Sequence, residues 1–190
     1  MAAAELGRRE GVGGSLRRLW RAWLCAYIAI WTATLGIAML VVIGAARLRT
    51  PVNHVLGARL DPQLNAPPQV AHVLALAAHN LPITAWPVLL GVVGAHRRPT
   101  TRTIADVVVA AAITANVLIV GSALGAYGAA LLPYVPQLPV EWAALALGAS
   151  SWLVQRRRAL TVPEGAICVG LIAFVVLLAA AVETVAVPHR

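Results

Sequence analysis

Lysine is absent from this chain and charge of either sign is scarce, with 15 arginines and seven acidic residues making up 12% of 190 positions. A soluble domain carries about a quarter of its residues as charges, so lipid must be the solvent for much of this one. Cysteine occurs only twice. Cys25 and Cys168 both fall inside apolar runs, which argues against a disulfide framework. They lack metal-site spacing and read as small buried hydrophobes. There is no HExxH and no nucleotide-binding motif, so no metal, cofactor or phosphate chemistry can be assigned. Ser122 follows Gly121, but the only histidine downstream is His189 near the terminus, so a serine hydrolase would lack its base. Ser122 therefore reads as a packing residue, and the chain as a non-enzyme.

What is present is apolar surface: 60% of the residues are hydrophobic. An average crossing takes roughly 20 apolar residues, so the length allows about four to six helices and no separate soluble domain. The expected architecture is all-α, a polytopic transmembrane bundle of about five helices over 22–46, 70–94, 107–132, 139–154 and 166–187. Residues 1–21 form a basic interfacial segment and 22–190 a single transmembrane domain. A signal peptide competes for the first run, but a signal core of about 7–15 residues is shorter than this one.

Each run has its own pattern. The second contains His72, His79, Asn80, Pro82 and Pro87; proline frees a carbonyl one turn earlier, which within lipid must be satisfied by protein or water. The third follows Thr103-Ile104-Ala105-Asp106, which suits a helix start. Thr114, Gly121, Gly125 and Gly128 fall on one of its faces, Ala112, Asn116, Ala123 and Tyr127 on the other, and both suggest neighbours, making this the expected central helix. The short fourth segment carries Glu141, Ala144, Gly148 and Ser151 on a small or polar face, with Trp142, Leu145 and Trp152 at lipid-like positions. The fifth opens with a Thr161-Val162-Pro163-Glu164 box and carries Glu183 just beyond Ala179-Ala180.

The net charge of +8 comes from arginine alone. The arginines cluster between apolar runs, where they set orientation rather than bind nucleic acid. Five crossings with the N-terminus inside place eleven arginines inside against four outside; a re-entrant fourth segment would give nine against six, so the bias favours a full crossing. Trp20 and Trp23 then sit in the headgroup belt, with neighbouring arginines on anionic lipid or on a cytoplasmic partner.

Ionisable and amide groups inside the membrane are costly and ask for partners or a function. His79, Asn80 and Asn116 fall near mid-membrane, and His72, Glu141 and Glu183 in the outer half beside Arg47 and Arg49, so one polar network is geometrically feasible. It reads either as a clamp that fixes helix packing or as a proton or ion path. The clamp is the favoured reading, with Gly121, Gly125, Gly128 and Gly148 as packing positions.

The polar residues also resemble a known family. His79-Asn80-Leu81, Asn116, Pro136-Gln137-Leu138-Pro139-Val140-Glu141-Trp142-Ala143-Ala144 and Ala179-Ala180-Ala181-Val182-Glu183 are similar, in order and spacing, to the stage II sporulation protein M family. There an Asn-Leu, an Asn-Gly, a Pro-His-Gly-x-x-Glu-x-x-Ala element and an Ala-Ala-x-x-Glu follow one another. Here Val117 replaces the Gly, and Gln137-Leu138 replace the His-Gly. The resemblance covers about residues 79–184. It implies a scaffold or complex subunit of a bacterial plasma membrane, associated with lipid, with other membrane or envelope subunits or with further copies of itself. A small transporter, or the membrane subunit of an ATP-driven exporter, is the alternative.

Overall fold

The computed structural model describes residues 2–44, 70–157 and 159–186, with side chains from Arg17 onward in the first helix. Among these residues there are five α-helices and one 3₁₀ segment: α1 Ala2–Ile43, α2 Val70–Val92, α3 Pro99–Tyr127, the 3₁₀ segment Gly128–Gln137, α4 Leu138–Gln155 and α5 Val162–Ala186. The fold is the expected all-α bundle. Four stretches are long and apolar enough to cross a membrane, Arg17–Ile43, Val73–Val92, Pro99–Tyr127 and Val162–Val185. α4 is not among them, although its 18 residues at about 1.5 Å each come close to the roughly 30 Å of a hydrocarbon core.

Local chemistry sets most helix ends. At α5 the Thr161 amide donates to Glu164 Oε2 at 2.9 Å, while the Glu164 amide reaches Thr161 Oγ1 at 3.4 Å, a reciprocal capping box as expected. α3 starts eight residues before its apolar run, because extended Arg98 and then Pro99 make the natural entry. The Thr101 hydroxyl donates to the Ala95 and Arg98 carbonyls at 2.8 and 3.0 Å. Asp106 consequently lies two turns into the helix, and the expected Thr103–Asp106 start does not form. Gly128 closes α3 with a positive φ of 52° and has open space where a side chain would lie. It is a helix terminator and not the packing residue its place on the glycine face suggested.

The centre of the bundle is α4, not α3. α4 packs against α1, α2 and α5, while the close helix partner of α3 is α1. Trp142, Leu145 and Trp152 are 3, 5 and 2% exposed, so the side expected to meet lipid is sealed by protein. Opposite it, Ala144, Gly148 and Ser151 are buried as well. A helix enclosed along most of its surface, with Leu153 the large side chain left exposed, has little contact with acyl chains and can be rich in small and polar residues.

Two glycine seams set the closest approaches. A Cβ on Gly121 would lie 2.7 Å from the Thr34 carbonyl oxygen, and one on Gly125 would lie 2.7 Å from Val41 Cβ, so the GxxxG of α3 seats α1. A Cβ on Gly148 would collide with the Thr84 carbonyl oxygen of α2. Along α1, Trp20, Trp23 and Tyr27 stack in turn and Trp31 meets Tyr27 edge-on, and Trp23 Nε1 donates to the Ala143 carbonyl of α4 at 3.1 Å.

Candidate functional site

The polar residues converge where four helices meet. Asn80, Ile83 and Thr84 of α2, Asn116 of α3, Glu141 and Trp142 of α4, and Val176 and Ala179 of α5 line a cavity of about 80 Å³. Glu183, one turn beyond Ala179, lies near enough for its charge to act on Glu141. Four of the six expected network members, Asn80, Asn116, Glu141 and Glu183, are thus brought together. His79 is not. It is exposed, because the inward stripe of α2 runs through Ala77, Thr84 and Val88, and 100° per residue turns position 79 to the opposite side. The side chain of His72, and all of Arg47 and Arg49, lie outside the described residues.

Two of the polar groups that line the cavity bond within their own helices. Asn116 Nδ2 donates to the Ala112 carbonyl at 2.9 Å, and the Thr84 hydroxyl to the carbonyls of Asn80 and Leu81 at 3.1 and 3.2 Å. Ile83, whose carbonyl loses its usual donor at Pro87, lines the same space. At roughly 30 Å³ per water molecule the cavity takes two or three waters, far below the ~300 Å³ at which small-molecule sites begin.

A second polar cluster escaped the sequence reading. Asp106 Oδ1 accepts from Trp152 Nε1 at 2.9 Å and pairs with Arg156 Nε at 2.9 Å, joining α3 to α4 at the arginine-rich end. Ala105, Val109, Trp86 and Leu90 pack around Trp152. Next to it, buried Gln155 of α4 fills the space a side chain on Gly91 of α2 would need. An acid, a Trp and an Arg separated by some 50 residues carry no local signature. The available signal was that Asp106 and Arg156 are opposite charges at ends of consecutive runs expected on one membrane side. Both cysteines are free thiols; Cys168 is buried, whereas Cys25 is exposed and corrects the expectation of burial. Among the described residues no group of three or more His, Cys, Asp or Glu could hold a metal.

Compared with known protein families, curated proteins and solved structures, the chain matches none.

Proposed function

We infer that this chain is a non-enzymatic scaffold or complex subunit of a bacterial plasma membrane, its N-terminus cytoplasmic, of the kind implied by the likeness to the stage II sporulation protein M family. One observation carries this reading. Asn80, Asn116 and Glu141, three of the residues that bear that likeness, line an 80 Å³ space at the junction of α2, α3, α4 and α5, with Glu183 near enough for its charge to act on Glu141. A polar junction that small suits a clamp that fixes four helices relative to one another better than a substrate site. The bundle then presents its outer apolar faces to lipid and to neighbouring envelope subunits. The orientation is supported by the eleven-to-four arginine bias.

The test exploits the difference between an amide and an alkyl group. Glu141→Gln and Glu183→Gln keep hydrogen-bonding capacity, and both should preserve recovery of co-purifying membrane subunits in mild detergent. Glu141→Leu and Glu183→Leu leave partners unsatisfied and should lower folded yield and subunit recovery. Normal folding and recovery in all four variants, with loss of a proton-coupled flux in the Gln forms, would replace the scaffold by a transporter.

A further inference from the structure

Arginines from two helices and the turn that ends a third close around one groove at the end of the bundle opposite the polar junction. Arg18 and Arg21 of α1, Arg102 of α3, and Arg156 and Arg157 in the turn that ends α4 line a space of about 740 Å³ whose remaining walls are Ala22, Cys25, Leu153 and Val154. Asp106 answers Arg156, and among the described residues no acidic side chain lines the groove itself. Four guanidinium charges beyond that pair thus converge on one space and repel one another. Holding them together favours an anion among them. Guanidinium is the side chain best matched to phosphate, giving paired, charge-assisted hydrogen bonds.

The surroundings say what sort of phosphate. The groove opens where the apolar run of α1 begins, and exposed Leu24 and Ile28 continue from it along the helix. Trp20, on the same turn of α1 as Arg18 and Arg21, is exposed and suited to headgroup depth. A free anion needs charge alone, whereas an amphiphile needs charge beside an apolar track, and both are present. We propose that this groove binds the phosphate headgroup of an anionic phospholipid, with its acyl chains lying along α1. The lipid bridges α1, α3 and α4 at the end where α3 and α4 are joined by the Asp106–Trp152–Arg156 contacts. This assignment is independent of the scaffold reading, because it concerns other residues and needs no partner protein.

The whole protein, purified in a zwitterionic detergent, tests it. Tetraoleoyl cardiolipin or dioleoyl phosphatidylglycerol should remain bound through native mass spectrometry and raise the melting temperature, while dioleoyl phosphatidylcholine and inorganic phosphate at the same concentration should do neither. Removing three charges from the groove by R18Q/R21Q/R102Q should weaken the anionic lipid on the order of 100-fold, at about fivefold per arginine. Removing three from the same end outside it, by R17Q/R97Q/R98Q, should change affinity by less than about fivefold. If the groove triple variant is not monodisperse, the single R18Q and R102Q forms decide, each expected about fivefold weaker. Equal retention of phosphatidylcholine, an equal thermal shift with inorganic phosphate, or equal loss in the two triple variants would overturn the assignment.

Discussion

α3 and α4 are bridged by Asp106, Trp152 and Arg156, yet eleven of the 18 residues of α4 are buried against five of the 29 in α3. α3 is long and apolar enough to cross a membrane, and α4 is not. In water the more apolar helix would be the inner one. In lipid the outer helix must match the acyl chains, whereas the inner one must fit its neighbours, so hydropathy marks contact with solvent lipid and not depth in the fold. α4 meets the second requirement with Ala144, Ala146, Gly148, Ser150 and Ser151, and fills the wider gap toward α3 with Trp152.

Substitutions can break this comparison, and the largest effect belongs to α4. Gly148→Leu drives a side chain into the α2 backbone at Thr84 and should abolish monodisperse protein in detergent. If Gly148→Leu behaves like Leu118→Phe on the exposed face of α3, then α4 is not enclosed. Trp152→Ala should follow, losing about 3–5 kcal/mol of stability as a core aromatic, read as a lower unfolding midpoint in a denaturing detergent. Gly125→Leu should come third. It presses on Val41 and the Ala38 carbonyl, but α1 is bounded partly by lipid and can retreat, so folded yield should fall without vanishing. The smallest effect should come from Asp106→Asn, which removes the ion pair with half-exposed Arg156 yet can still accept from Trp152. A loss of about 1 kcal/mol or less is expected, and a loss matching Trp152→Ala would mean that the charge, not the packing, joins the two helices.

Features built from neighbouring residues could be read directly from the sequence. The Thr161–Glu164 box and the Gly121–Gly125 seam depend on spacings of three and four residues, and both formed, whereas Thr103–Asp106, with the same spacing as the box, did not start its helix because Arg98-Pro99 starts it earlier. Depth set Asn80 and Asn116 near mid-membrane and Glu141 and Glu183 in the outer half, near enough for one network to be expected, because helices crossing one slab place equivalent positions at equivalent heights. Azimuth was not available in the same way. His79 has the right depth but the wrong side of α2, and Trp142, Leu145 and Trp152 looked lipid-facing because tryptophan and leucine suit lipid and a protein interior equally. Only the number of neighbours around α4 separates those cases. Gly128 shared the glycine face, yet it ends the helix.

The connection from Arg156 to Thr161 is short, and it ties the helix that falls short as a crossing to the one with the highest mean hydropathy among the four spans. α4 by itself offers the bilayer a carboxylate, two serines and a glutamine, each of which opposes entry. Its passage into the membrane is therefore expected to depend on α5, the two entering as a hairpin with the turn at Arg156 and Arg157 left behind. Biogenesis of this bundle would then wait on α5, and a chain stopped after Arg157 should leave α4 stranded at the surface with α2 and α3 already in place.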